Sequence, residues 1–169
     1  FVSMSSGISG SYASGKMAER QLHEEFPERQ LRFVDTYSAS LGEGLLVMRA
    51  AECRSAGMGL EETYQLLRVL RHRMAQIFTV GDLRYLKRTG RLSNLEAAVG
   101  TVLQIKPLLK GDPQGKIVCF AKTRGRQRAI EAIAQQYEKL VVEPEKQVIG
   151  IAHADCEPDA QILASMLRR

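Results

Sequence analysis

The sequence predicts an α/β chain of two domains, a strand-helix α/β part over residues 1–75 and an α+β part over residues 76–169. Three observations carry this prediction. Short apolar segments alternate with amphipathic helical ones through the first half. Past residue 75 the order changes to two strand segments around the turn signal "GDPQG", set among helices. A stretch rich in serine and glycine, "MSSGISGSYASG", joins the first strand segment to the first helix segment.

The elements follow in order. "FVSM" is a strand, and "SYASGKMAERQLHEEF" a helix with Met17, Leu22 and Phe26 on one face, stopped by Pro27. "LRFVDT" is the second strand. "SASLGEGLLVMRAAECRSAG" is a helix opened by a capping box, Ser40 with Glu43 three residues on, and closed by Gly57. "GLEETYQLLRVLRHRM" is a third, amphipathic helix with Leu60, Leu67 and Leu70 turned inward. In the second part "QIFTV" is a strand, "GDLRYLKRTGRLSN" a basic turn region and "NLEAAVGTVLQ" a helix. "KPLLKG" and "KIVCFAKT" form a hairpin, "RGRQRAIEAIAQQYEKLVV" a long helix, "QVIGIAHAD" a strand and "EPDAQILASMLRR" the last helix.

Composition narrows the function classes. A hydrophobic content of 44% is enough for a packed core. No apolar run approaches the roughly 20 residues needed to span a bilayer, and no signal-peptide pattern opens the chain, so a cytoplasmic protein without an integral membrane segment is expected. The net charge of +5 invites a nucleic-acid reading. The basic residues are dense only in "LRYLKRTGR" and "KTRGRQR", however, and neither segment interleaves them with aromatics for base stacking, so no nucleic-acid partner is expected. Cys53, Cys119 and Cys156 are odd in number and far apart, which predicts reduced, mostly buried thiols. No His, Cys, Asp or Glu set has metal-ligand spacing, so no metal is expected.

The serine loop is the first candidate site. Ser5, Ser6, Ser9 and Ser11 offer hydroxyls beside backbone N–H groups, while Gly7 and Gly10 leave room for close approach. A strand-to-helix junction also leaves unpaired N–H groups where the helix dipole favours negative charge. The loop matches neither phosphate-loop nor dinucleotide fingerprints. Two readings stay open on the loop alone: an anion cradle, or a helix cap with its other serines solvated. A serine nucleophile lacks a partner, because His23 and His72 lie on outer helix stretches and His153 at a strand end is more often structural. Gly42 and Gly44 come just before "LLVM", where a glycine on a helix admits a backbone or a slim apolar ligand. "DLRYLKRTGRLS" pairs an apolar anchor with a cationic face.

Taken together, "SSGISGSYASG", "VDTYSASLGEGLLV", "VGDLRYLKRTGRLS", "QIKPLLKGDPQGKI", "AKTRGRQRAIEAI" and "IGIAHAD" resemble, in colinear order, the DegV family of bacterial fatty-acid-binding proteins. The resemblance implies a two-domain lipid-binding carrier, not itself an enzyme, that holds a long-chain fatty acid by its carboxylate at the serine loop. It presents that carboxyl group to a partner fatty acid kinase for acyl-phosphate formation. On this reading Ser5, Ser6, Gly7, Ser9 and Gly10 bind the carboxylate, with Ser6 as the direct hydroxyl partner. Gly42, Gly44, Leu45 and Leu46 are candidate tunnel wall, and Arg84, Arg88, Arg91, Arg124 and Arg126 are candidates for partner docking. The fatty acid is the ligand, no cofactor is implied, and a monomer is expected. Family members also carry a Thr-Asp-Ser segment before this stretch and a His- and Gly-rich one after it, so the chain is expected to be truncated at both ends. The alternative is an enzyme acting on a phosphorylated small molecule, with the same loop as its phosphate site.

Overall fold

The computed structural model describes residues 1–91 and 104–168 and divides into two compact units. The first comprises Phe1–Met74 with Pro113–Lys116, and the second Ala75–Asp112 with Ile117–Arg169. The mixed α/β class expected from the sequence is the class observed.

In the first unit β1 (Val2–Ser3) and β2 (Val34–Asp35) pair in parallel, Val2 beside Val34 and Ser3 beside Asp35. Parallel neighbours need a crossover, and α1 (Ser11–Glu25) supplies it. Two helices follow, α2 (Leu41–Ser55) and α3 (Leu60–Leu70), the latter continued by a 3-10 turn over Arg71–Arg73. The end of α2 is fixed by Gly57, whose φ of 77° lets its N–H reach Arg54 O at 3.0 Å while Met58 N reaches Cys53 O at 2.9 Å. Val34, Leu46 and Leu67 form the core, with Val2, Ala50, Tyr64, Leu70 and Met74 packed against it. Each such fully buried aliphatic side chain contributes about 1.5–3 kcal/mol.

Three local expectations are corrected here. Ser40 and Glu43 form no capping box: Ser40 has φ 52° and no side-chain cap bond, whereas a capping serine takes extended angles that aim its hydroxyl at the first turn. Met17, Leu22 and Phe26 stay exposed, Met17 by 68%, because none of α1 is buried by the described residues. Leu60, at the first position of α3, is also exposed, while Leu67 two turns further on is buried.

The second unit is a three-stranded antiparallel sheet in the order β3 (Ile77–Phe78), β4 (Ile105–Gly111), β5 (Ile117–Arg124). A register shift at Leu108 and Leu109 leaves Phe120 as an extra residue on β5, and both leucines are buried. Helix α5 (Arg126–Leu140) lays Ala129, Ile130 and Ala134 inward against β4 and β5, and α6 (Glu157–Leu167) packs on α5. The segment read as a basic turn contains a short helix, α4 (Arg84–Arg88), whose first N–H is accepted by Asp82 Oδ1 at 2.8 Å. "QVIGIAHAD" is not a strand: no described strand lies beside it to share hydrogen bonds, and Val148 and Ile149 are exposed. The helix expected over "NLEAAVGTVLQ" falls almost wholly outside the described residues.

No described helix is long and apolar enough to cross a membrane. The three cysteines are free, with Cys53 buried and Cys119 and Cys156 only partly so, which corrects the expectation that most are buried.

Candidate functional site

In open α/β sheets ligands bind beyond the carboxyl ends of the strands. Here those ends lead into two loops, Met4–Gly10 after β1 and Thr36–Ser40 after β2, and the structure stitches them together. Ser5 N donates to Ser38 O at 2.8 Å, and Ser6 N donates to Asp35 Oδ1 at 3.1 Å. The same Asp35 oxygen accepts Tyr37 N at 3.1 Å, and Thr36 Oγ1 donates back to Ser3 O at 2.8 Å. Ser3, Ser5, Asp35, Thr36 and Ser38 are all buried and hydrogen-bonded, so this polar core rigidifies the junction at little net cost.

The five loop residues predicted from the sequence take different parts. Ser5 is fully buried; its hydroxyl donates to Gly115 O at 2.7 Å and accepts Gly7 N at 3.1 Å. Ser5 O accepts both Ile8 N and Ser9 N, turning the chain toward α1. Ser9 Oγ shares a hydrogen bond with Ser11 Oγ at 2.8 Å and accepts Ser11 N at 3.2 Å. The residue at the cap position of α1 is Gly10, with no side-chain cap bond, so the capping reading holds only through Ser9, one residue early. Ser6 alone of the pair faces outward: it is exposed, and its hydroxyl has no partner among the described residues.

Two of the glycines have different steric meanings. A Cβ on Gly7 would stand 2.7 Å from Gln114 O and from Gly115 C, so the space left there is filled by the β4–β5 turn. A Cβ on Gly10 would meet nothing within 4 Å. The loop's N–H groups at Ser5, Ser6, Gly7, Ile8, Ser9 and Ser11 are all bonded within the protein, which leaves the Ser6 hydroxyl and, in the first turn of α1, the N–H groups of Tyr12 and Ala13 without a partner among the described residues.

On α2, Gly42 and Leu46 are buried, Leu46 within the core, while Gly44 and Leu45 are half-buried. A Cβ on Gly44 would meet only Leu41 Cδ2, at 3.9 Å. The arginines lie in the second unit. Arg84 is 90% exposed and paired to Asp82 at 2.6 Å, and holds the Asp82 carboxyl below the usual carboxylate range chiefly through that side-chain hydrogen bond. Arg88, Arg91 and Arg124 are exposed. Arg126 is committed: its Nε donates to Asp159 Oδ2 at 2.7 Å and a terminal nitrogen approaches Cys156 Sγ at 3.6 Å, which ties α5 to α6. His23 and His72 are exposed, and His153 Nδ1 accepts Cys156 N at 3.3 Å at the start of α6. No group of three His, Cys, Asp or Glu among the described residues is placed to hold a metal.

Sequence reasoning missed Asp35, Thr36, Ser38 and Arg71. Arg71 donates to Asp35 O at 2.9 Å and stacks over the Tyr37 ring at 4.3 Å, bracing a residue whose φ is 54°. The available signal was the polar run "DTYS" directly after an apolar strand.

The family model described as "uncharacterised protein, DegV family" matches residues 1–169. A DegV domain-containing protein of Clostridium perfringens is 40% identical over 168 residues, 99% of this chain and 58% of that protein. A DegV-family structure from Ruminococcus gnavus, refined with vaccenic acid, superposes with a TM-score of 0.91 at 30% identity and covers 98% of this chain and 59% of that one. The fatty acid kinase B3 protein of Streptococcus pneumoniae, loaded with linoleic acid, shares the fold with a TM-score of 0.83 at 23% identity, over 98% of this chain and 58% of that one. The chain thus spans under three fifths of each of these relatives. With the family model matched from end to end and the relative from Clostridium perfringens aligned along 99% of its length, the chain belongs to the DegV family.

Proposed function

We propose that this chain carries the carboxylate-binding part of a long-chain fatty-acid carrier, with the Ser6 hydroxyl as the direct donor to the carboxylate. The observation that carries the proposal is the outward, unpartnered Ser6 hydroxyl on a loop whose every neighbour is fixed. The vaccenic acid in the structure from Ruminococcus gnavus supports the choice of ligand. A buried carboxylate needs donors, and a preorganised hydroxyl beside a helix N-terminus supplies them without a counter-charge. The acyl tail contributes about 0.8 kcal/mol per buried CH₂, so most of the affinity comes from the chain and the loop sets its direction. Gly44 and Leu45 form part of the tunnel wall.

The same reading makes the chain a carrier without catalysis of its own, and a monomer. A carboxylate hydrogen-bonded but not ion-paired keeps one oxygen able to attack. In a partner kinase that oxygen attacks the γ-phosphorus of ATP, and acyl phosphate and ADP are formed. Residues 1–75 hold the carboxylate, and residues 76–169 offer Arg84, Arg88, Arg91 and Arg124 for docking an acidic partner surface.

Native mass spectrometry of the purified protein, followed by organic extraction, tests the proposal. The expected result is a stoichiometric fatty acid that is lost in a folded Ser6→Ala variant. An empty protein that takes up no added oleate would overturn it, and tight retention of inorganic phosphate instead would favour the enzyme alternative.

A further inference from the structure

We propose that Gly115, at the tip of the β4–β5 turn, is a positioning residue for Ser6. This rests on the reading of the serine loop as a carboxylate site and adds what holds that site in shape. The Pro113–Lys116 turn clusters with the first unit, and Gly115 sits against both loops of the site. A Cβ at Gly115 would overlap Ser5 Oγ and stand 2.9 Å from Tyr37 Cα, one contact in each loop. The same turn is packed from the other side as well, since a Cβ on Gly7 would strike Gln114 O and Gly115 C at 2.7 Å. The missing side chain at Gly115 thus leaves room for Ser5 and Tyr37, and the missing one at Gly7 leaves room for the turn itself.

A hydrogen-bond relay runs along the same contact. Gly7 N–H donates to Ser5 Oγ, and Ser5 O–H donates to Gly115 O. The relay fixes the hydroxyl proton of Ser5 and turns that side chain inward, fully buried. Ser5 is buried and Ser6, the next residue, is exposed, so a displacement of the Ser5 backbone carries Ser6 with it. Asp35 Oδ1 then fixes the backbone N–H of Ser6 from the other side. Gly115 touches no ligand in this account; it acts through Ser5.

Gly115 also has φ 73°, so a plain turn role must be separated from the positioning role. Asparagine tolerates the left-handed region far better than alanine but brings the same Cβ. Oleate affinity is measured for the wild type, Gly115→Asn, Gly115→Ala, Ser6→Ala and the Gly115→Asn/Ser6→Ala double variant, each confirmed folded by circular dichroism. Positioning predicts that Gly115→Asn loses affinity about tenfold or more, and that the double variant binds no worse than Ser6→Ala alone. Wild-type affinity in Gly115→Asn, or losses that add in full, would overturn the proposal while leaving the carrier reading intact. If Gly115→Asn fails to fold, Ser5→Ala takes its place: it removes the relay without adding volume, and the same loss and the same non-additivity with Ser6→Ala are expected, with unchanged affinity overturning the proposal. A wild type that binds no oleate overturns the carrier reading, and this inference with it.

Discussion

Asp35 Oδ1 accepts the backbone N–H of Ser6 and that of Tyr37, each at 3.1 Å, so a single carboxylate oxygen joins the loop after β1 to the loop after β2. Asp35 is 5% exposed, and removal of its carboxylate leaves both donors without an acceptor. A buried unsatisfied donor costs about 1–3 kcal/mol. Asp35→Ala is therefore expected to destabilise the protein by about 2–4 kcal/mol, and Asp35→Asn, which keeps an acceptor oxygen, by roughly half of that. Denaturant unfolding ranks the two; equal midpoints for both variants and the wild type would show that the bonds do not hold the loops.

The glycines of the serine loop separate a packing role from a conformational one. Gly7→Ala drives a Cβ into backbone atoms of Gln114 and Gly115 that cannot swing aside as a side chain would, and a loss of about 1–3 kcal/mol is expected. Gly10→Ala has open space and costs only a few tenths of a kcal/mol to about 1 kcal/mol, as the cap of α1. Thermal unfolding of the pair makes the comparison, and a Gly10→Ala variant at least as damaged as Gly7→Ala would contradict it.

The titration of Asp82 offers a check on the cationic segment. Its side-chain and backbone hydrogen bonds from Arg84 depress the carboxyl below its ordinary value. A depressed acid stabilises the fold above the pKa of the unfolded chain, and that contribution disappears as pH falls from about 4 through the lower folded value. NMR titration of the Asp82 carboxyl is expected to move upward toward the ordinary aspartate value in Arg84→Ala. The start of α4, capped by Asp82, is expected to lose protection from exchange as the acid protonates; an unchanged titration in the variant would remove Arg84 as the cause.

What was legible in the sequence was local. Gly57 ends α2 where its type and place require, and "GDPQG" sets the β4–β5 hairpin. What was not legible depends on partners far along the chain. Ser6 meets Asp35 across 29 positions and Ser5 meets Gly115 across 110, and nothing in "MSSGISG" foretells which serine turns inward. The capping-box pattern at Ser40 failed for the same kind of reason: it records residue types, whereas the φ of 52° shows that the surrounding loop imposed the backbone. The sequence leaves room for close approach at Gly7, and in the structure the group that stands there is the protein's own turn.

Gly44 tests the wall assigned to α2. With only Leu41 Cδ2 near a new Cβ, Gly44→Ala is expected to raise stability by up to about 1 kcal/mol through helix propensity. A larger residue separates packing from ligand space: Gly44→Leu is expected to fold like the wild type yet lose co-purified fatty acid. A Gly44→Leu protein that still carries a full complement of lipid would move the tunnel away from this face.

The arginines divide by what they already hold. Arg126 and Asp159 are each about one third exposed, so their ion pair is screened and contributes about 1 kcal/mol at most. Arg126→Ala is expected to lower the unfolding midpoint slightly by loosening α5 from α6. Arg124, two residues earlier and exposed at the end of β5, has no such bond among the described residues, so Arg124→Glu is expected to leave stability within about 0.5 kcal/mol. If the docking assignment is correct, the effects reverse in a kinase-coupled assay of acyl-phosphate formation: Arg124→Glu loses turnover by slowing association, most strongly at low salt, because a reversed rim charge acts on encounter. Arg126→Ala at a temperature where it stays folded then behaves as the wild type. A salt-independent loss in Arg124→Glu, or a larger loss in Arg126→Ala, would place the partner's contact elsewhere on the second unit.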